Sequence, residues 1–375
     1  MKNKVEIIAF YLPQYHPFKE NDEWWGKGFT EWTNVGKAKA LFKGHNQPRV
    51  PSELGYYDLR LPIVREQQAL MAKDAGVTAF CYWHYWFGNG KRLIADIFDE
   101  VLDSGKPNFP FCLGWANHSW YAKTWDKESK QKDKLLMEQT YPGLEDEKKH
   151  FSFLLKAFKD PRYVKIGNKP FFYIFDPIGL PDEYLKNFNE WAKEAGFDGL
   201  YLVANISVTD NESYFLKKGY DAVTYKRILY YNKFTSENIN NAIVRKFFTL
   251  LATIKGILLH RPKFIVDYRK YYNNFVTPKE YENHVIPQIV PGWDHSPRST
   301  SKALIYINNT PDAFYMHCKQ ALLSVENKKD KILLLKSWNE WGEGNYMEPD
   351  IDNGRGFIIS LRKAINEFLK DHGEN

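Results

Sequence analysis

In Ser337-Trp338-Asn339-Glu340-Trp341-Gly342-Glu343-Gly344 two carboxylates stand three residues apart, directly after an apolar run and interleaved with tryptophan and glycine. If this turn coils, both carboxylates point into one cleft, where apolar walls raise the pKa of one while the other stays ionised. Cleaving a glycosidic bond needs that division of labour: one group protonates the leaving oxygen and the other serves as base or nucleophile. The E-x-x-E spacing by itself is common on exposed helices. Its place at the end of a buried strand, flanked by indoles, singles out Glu340 and Glu343 as the catalytic pair.

A second cluster, Trp115-Ala116-Asn117-His118-Ser119-Trp120 with Thr124-Trp125-Asp126 following, joins flat apolar faces to hydrogen-bonding groups, the combination that holds a sugar ring. Taken singly, each residue is equally a packing Trp or a satisfied structural His; taken together, opposite the carboxylates, they outline a sugar subsite. His84, His118 and His295 lie on three different loops without ligand spacing, so no metal is expected. No P-loop, nucleophile elbow or kinase set is present, and no cofactor is expected. Asp350-Ile351-Asp352 has the D-x-D form of nucleotide-sugar sites, but it sits in an apparent loop downstream of the pair.

These residues need a scaffold that gathers them. Continuous apolar runs at 5–11, 77–83, 109–115, 170–175, 200–204, 222–225, 285–290 and 332–337 read as strands buried on both faces, as in parallel sheets. Helical patterns at 61–75, 93–104, 146–158 and 181–195 fall between them, the first two closing on Gly76 and Gly105. Eight strands alternating with helices predict a single-domain (β/α)8 barrel; no Gly-rich fingerprint follows the first strand to favour a doubly wound sheet. Reactive groups of such barrels sit at the C-terminal rim. There the sequence places Tyr11, Gln14 and Tyr15 after the first strand, Trp83 and His84 after the second, and Trp115, Asn117 and His118 after the third, with Trp125 just beyond. Trp293 and Asp294 follow the seventh, and Trp338, Asn339 and Trp341 accompany the glutamates after the eighth. We take all of these as candidate substrate-binding residues.

The composition agrees with an ordered carbohydrate-handling chain. Among 375 residues, 43% hydrophobic and 26% charged, the 12 Trp, 24 Tyr and 26 Phe cluster beside Asn, His and Glu. The net charge of +6 is small and partly confined to one segment, so no nucleic-acid groove is required. Cys81, Cys112 and Cys318 are too scattered for a disulfide framework or zinc cage and read as buried thiols of a reducing compartment. The first ten residues enter a strand with no apolar signal region, and no run is long enough to span a bilayer, so the expectation is cytoplasmic. Residues 226–274 read as an insertion after the sixth strand, with ten Lys or Arg against two acidic residues. Within it, 242–259 has the spacing of a basic amphipathic helix, suited either to peripheral contact with an anionic membrane or to covering the barrel.

Several ordered segments carry a resemblance. Ala9-Phe10-Tyr11-Leu12-Pro13-Gln14-Tyr15-His16-Pro17, Trp24-Trp25-Gly26-Lys27-Gly28-Phe29-Thr30-Glu31-Trp32-Thr33-Asn34-Val35, residues 76–86, Trp115-Ala116-Asn117, Phe158-Lys159-Asp160-Pro161-Arg162-Tyr163, Trp338-Asn339-Glu340-Trp341-Gly342-Glu343-Gly344 and Glu348-Pro349 together resemble the WbsX-like family, related to glycoside hydrolase family 99. The resemblance spans nearly the whole chain. It implies a (β/α)8 barrel acting with retention on an α-mannosidic type of linkage and a role with bacterial surface polysaccharide. It further implies that Glu340 takes the proton of the sugar's own 2-hydroxyl, which attacks the anomeric carbon to give a 1,2-anhydro sugar. Glu343 then corresponds to the acid that protonates the leaving oxygen and later activates water. The basic insertion has no counterpart in the resemblance.

Three readings follow from the sequence: a glycosidase-type enzyme acting on an oligo- or polysaccharide; a glycosyltransferase or transglycosylase of lipopolysaccharide, O-antigen or capsule synthesis; and an inactive carbohydrate-binding barrel. Retention of both glutamates argues against the last.

Overall fold

The computed structural model describes residues 5–122, 134–227, 262, 264–300 and 303–372. Eight parallel strands build it: β1 (Glu6–Tyr11), β2 (Ala79–His84), β3 (Phe111–Trp115), β4 (Lys169–Ile174), β5 (Tyr201–Ile206), β6 (Ala222–Tyr225), β7 (Gln288–Ile289) and β8 (Ile332–Leu335). Their spatial order is β7-β8-β1-β2-β3-β4-β5-β6. The ring is nearly closed where Val223 of β6 bridges Val285, just before β7: Val223 N donates to His284 O and Ile286 N to Val223 O, each at 2.8 Å. The helices of the barrel are α1 (Pro62–Ala75), α2 (Asp96–Ser104), α3 (Leu144–Lys159), α4 (Asp182–Glu194), α5 (Glu212–Lys217), α6 (Pro311–Val325) and α7 (Gly356–His372), and short helices at Lys19–Trp25, Glu31–Lys37, Tyr268–Tyr271 and Ser296–Ser299 lie in the loops. The barrel expected from the sequence is the observed fold.

The continuous apolar runs form strands because both of their faces are covered, one by helices and one by the barrel interior; every residue of β2, β3, β5 and β8 is buried. Aromatic rings fill the interior. Phe10 stacks on Trp83 at 4.8 Å and 11°, and Tyr173 meets Phe10 edge-on at 4.8 Å; such pairs add about 0.5–1.5 kcal/mol each beyond burial. Cys81 and Cys112 face each other across β2 and β3 as buried free thiols, as Cys318 is in α6. Helix α1 ends on Gly76 at φ +90°, where a Cβ would stand 2.6 Å from Ile365 of α7, so glycine both terminates the helix and admits its neighbour.

β7 and β8 are shorter than their apolar runs. Run 285–290 yields only Gln288–Ile289, since Pro287 and Pro291 on either side have no N–H to give. Run 332–337 ends at Leu335, and Trp338 N donates instead to Phe10 O at 2.7 Å, turning the chain over the barrel mouth. Of the insertion, Phe264–Asp267 pairs in parallel with Leu304–Ile307, and Tyr268, Phe275, Trp293 and Tyr306 share a small core beside the barrel. The amphipathic segment 242–259 and Trp125 lie outside the described residues. Among the described residues no helix is long and apolar enough to cross a membrane.

Candidate active site

The segment after β8 is stapled to the segment after β1. Asn339 accepts from Leu12 N at 2.8 Å and donates to Leu12 O at 3.0 Å, so its amide acts as a backbone surrogate joining two loops. Asn339–Glu340 then pairs antiparallel with Asn345–Tyr346 around the 3-10 turn Trp341–Glu343, and Gly344 at φ +62° closes the hairpin. Tyr15 holds the turn by accepting from Trp341 N at 2.9 Å. Trp341 stacks on Tyr346 at 3.7 Å and donates its indole N–H to Glu348 at 2.7 Å. Glu348 also accepts from Tyr57 and Gln68, and burial raises its carboxyl to about 7.

Glu340 and Glu343 share one cation. Arg298 donates from Nη2 to Glu340 Oε1 at 2.9 Å, from Nη1 to Glu343 Oε1 at 2.8 Å, and from Nε to Glu31 Oε2 at 3.1 Å. A guanidinium fork suits this task, because its planar donors satisfy several carboxylates at once. Burial, followed by the charge of Glu343, pushes Glu340 up to about 8. Burial also acts upward on Glu343, but Arg298, His295 and Lys336 outweigh it and hold its carboxyl below the usual range. Burial and the neighbouring charge thus favour the protonated form of Glu340, while Arg298 favours the ionised form of Glu343.

Supporting groups fix Arg298. Asp294, fully buried, accepts from Ser296 N at 3.0 Å at the start of the short helix Ser296–Ser299 that carries Arg298. Its other oxygen accepts from His45 and Gln47 at 2.8 and 2.7 Å, and its backbone N–H donates to Glu343 O at 2.7 Å. These donors and the charge of Arg49 overcome burial and keep Asp294 ionised below the usual aspartate range. Gly342 lets Glu31 and Arg298 lie beneath the hairpin: a Cβ there would stand 2.5 Å from Glu31 Oε2 and 3.0 Å from Arg298 Nε. Tyr85, after β2, is buried beside the same group; burial and then the charge of Glu340 raise its hydroxyl pKa.

The candidate sugar-binding residues divide into two sets. Tyr11, Trp115, Asn339, Trp341 and Asp294 are buried with polar atoms committed to the protein, Tyr11 to Gln68 at 2.7 Å and Trp115 to Trp86 O at 3.0 Å. Trp338 packs on Phe80 at 5.7 Å, Tyr15 between Trp32 and Tyr57, and His84 against His150 at 2.8 Å. Asn117 ties the β3 loop to the β4 loop through Asp176 O at 2.7 Å. These nine turn inward and build the site. Gln14 and His118 are half-buried at the rim; Trp83 is buried against Phe10, Tyr173 and Phe175, Trp293 is buried and parallel to His295, and among the described residues the buried Nδ1 of His118 has no hydrogen-bond partner. Asp350 of the D-x-D stretch is buried, accepts from Tyr346 at 2.8 Å and caps its own turn through Asp352 N and Asn353 N.

Arg298, Glu31 and Tyr85 are absent from the expected set. Glu31 and Arg298 lie beyond strand ends, on short helices whose sequences carry no periodic signal; Glu31 stands within the Gly26–Val35 stretch that contributes to the resemblance. Tyr85 directly follows His84 at a strand end, which was the signal available.

A family model described as glycosyltransferase WbsX matches residues 7–361. Two curated relatives, uncharacterised proteins WxcX from two strains of Xanthomonas campestris pv. campestris, are 30% identical over 373 residues, covering 96% of this chain. The chain spans about half their length, the match covering 49% of each relative. Among solved structures, a GH99 endo-alpha-mannosidase from Bacteroides thetaiotaomicron is similar at TM-score 0.57 and 14% identity, covering 99% of this chain and 100% of that one. A second, described as a glycoside hydrolase-like protein, is similar at TM-score 0.55 and 14% identity, covering 98% and 94%.

Proposed function

This chain belongs to the glycosyltransferase WbsX family, and on that premise we propose that it is a carbohydrate-active enzyme in which Glu340 and Glu343 break a glycosidic bond of a surface polysaccharide. The observation that carries the reading is the Arg298 fork, which holds both carboxylates together at the barrel mouth; the opposite directions of their pKa shifts support one proton between them.

One proton is what a substrate-assisted displacement uses. Glu340, ionised, takes the proton of the sugar 2-hydroxyl as that oxygen attacks the anomeric carbon. Glu343 gives its proton to the departing oxygen. Water then attacks the anomeric carbon of the 1,2-anhydro sugar, passing a proton to Glu343, while Glu340 returns its proton to the opening ring oxygen, giving net retention. The surroundings of the unliganded pair favour the reverse, protonated Glu340 and ionised Glu343. A 2-hydroxyl that donates to Glu340 favours its ionised form and a leaving oxygen that accepts favours protonated Glu343, so a correctly seated sugar moves the pair into its working tautomer. Substrate without a free 2-hydroxyl loses both the nucleophile and this shift.

The family description favours a second reading, in which a sugar hydroxyl rather than water opens the intermediate and the product is a longer chain. Both readings use the same pair. The experiment is turnover of polysaccharide from the protein's own source by wild type, Glu340→Gln and Glu343→Gln. Loss of at least a thousandfold in each variant, with folding intact, supports the assignment; wild-type turnover in either variant removes it.

A further inference from the structure

Beyond the pair, the barrel rim carries two lysines that no carboxylate approaches within ion-pair distance among the described residues. Lys336 directly follows β8 and its ammonium lies 5.6 Å from the centre of the Trp293 ring; Lys226 directly follows β6 and lies 5.3 Å from the Phe175 ring. Both are half-buried, and among the described residues neither ammonium has an ion pair or hydrogen bond. Half-buried or buried Lys165, Lys169, Lys218, Lys319 and Lys328, by contrast, each hold a carboxylate or a carbonyl. Asp176 and Asp210 attract Lys226, and Glu340 and Glu343 attract Lys336, but all from beyond ion-pair range, so both ammoniums keep donors to give.

The two ammoniums repel one another, and burial together with that repulsion lowers the pKa of Lys226. His118 lies 4.8 Å from the same Phe175 ring, tilted at 36°, and among the described residues its buried Nδ1 has no hydrogen-bond partner. From Lys336 the contacts lead on to the catalytic pair: Trp293, under its ammonium, is parallel to His295 at 6.2 Å and 7°, and His295 Nε2 lies 3.7 Å from Glu343. Two partly desolvated cations and an unpartnered ring nitrogen beside flat aromatic faces are costly without an anionic partner. Neutral sugar hydroxyls would not offset the repulsion between the lysines, whereas an oxyanion would.

We propose that Lys226, Lys336 and His118 form a subsite for an oxyanion borne by the saccharide, a uronate carboxylate or a phosphate ester, seated beside the bond that Glu340 and Glu343 act on. The inference rests on the proposed function and narrows its substrate class to an acidic glycan. An oxyanion there accepts from both ammoniums and from the N–H of a neutral His118 while the sugar ring lies on Phe175 and Trp293.

The test is calorimetric binding of the source's own surface polysaccharide to the full chain carrying Glu340→Gln, so that the ligand is not consumed. Three preparations are compared: native, carboxyl-reduced and dephosphorylated. Native polymer should bind at least tenfold more tightly than one of the treated forms, and which treatment weakens it distinguishes carboxylate from phosphate. Adding Lys226→Gln and Lys336→Gln should weaken native binding tenfold or more while leaving the weakened form unaffected; Lys226→Arg with Lys336→Arg should retain tight binding. Equal binding of all three preparations, or of native polymer with and without the lysines, overturns the subsite and leaves the proposed function standing. Binding of no preparation contradicts the proposed function, and the subsite with it.

Discussion

A Cβ built on Gly342 would stand 2.5 Å from Oε2 of Glu31. The hairpin that carries the two proposed catalytic glutamates thus rests directly on the carboxylate that anchors the far side of Arg298, and only a residue without a side chain permits it. Gly342→Ala should force Glu31 and Arg298 apart from the turn, lowering kcat/KM by at least a hundredfold with about 1–3 kcal/mol of destabilisation. Kinetics and thermal unfolding of the same preparation check this. Wild-type turnover would mean that the Arg298 arrangement is irrelevant to activity.

Arg298 is the counter-charge for three carboxylates whose side chains are at most one-fifth exposed. Arg298→Met should destabilise the fold by about 3–5 kcal/mol, the usual result of leaving buried charges unpaired. It should also raise the acid limb of any residual pH–rate profile, because Glu343 loses the cation that holds its pKa down. Arg298→Lys, which keeps charge without a fork, should recover stability more fully than turnover.

The protonation of the pair sets a pH window. Activity should fall on the acid side below the ordinary carboxylate range, where Glu343 takes up a proton, and on the alkaline side near pH 8, where Glu340 loses its own. The stability effect of Glu340 has a definite sign: its folded pKa lies above the unfolded value, so between about pH 4.5 and 8 the native state binds more protons than the unfolded one and stability declines as pH rises. Glu340→Gln should therefore melt higher than wild type, by a margin that grows from pH 5 to pH 8. A constant margin across that range would contradict the raised pKa.

Asp294 discriminates a positioning residue from a sugar contact. Its lowered pKa makes its contribution present above the unfolded aspartate value and lost as pH falls through the folded one. Asp294→Ala should destabilise by about 3 kcal/mol through the unpaired donors of His45 and Gln47, and should lower kcat more than it raises KM. A large KM effect with unchanged stability would make it a substrate ligand instead.

The barrel was legible because buried parallel strands leave continuous apolar runs and glycines mark helix ends, as at Gly76. Strand ends were harder to read where proline removes a donor, as beside Gln288–Ile289. The glutamate pair was legible from spacing and context. What holds it was not: Arg298 and Glu31 lie 267 positions apart in the sequence and meet only through the fold. Side-chain direction was equally hidden, so Tyr11, Trp115 and Asn339 stand near the rim in sequence but spend their polar atoms inside the protein.

The central claim is that this pair opens a glycosidic bond, and oxygen-18 water with polysaccharide from the protein's own source tests it most directly. Mass spectrometry should show shorter chains carrying one heavy oxygen at each new reducing end, absent with Glu343→Gln. Longer chains without label would assign the bond-making step to transfer through the same intermediate. Polysaccharide left unchanged by the wild-type protein would contradict the account.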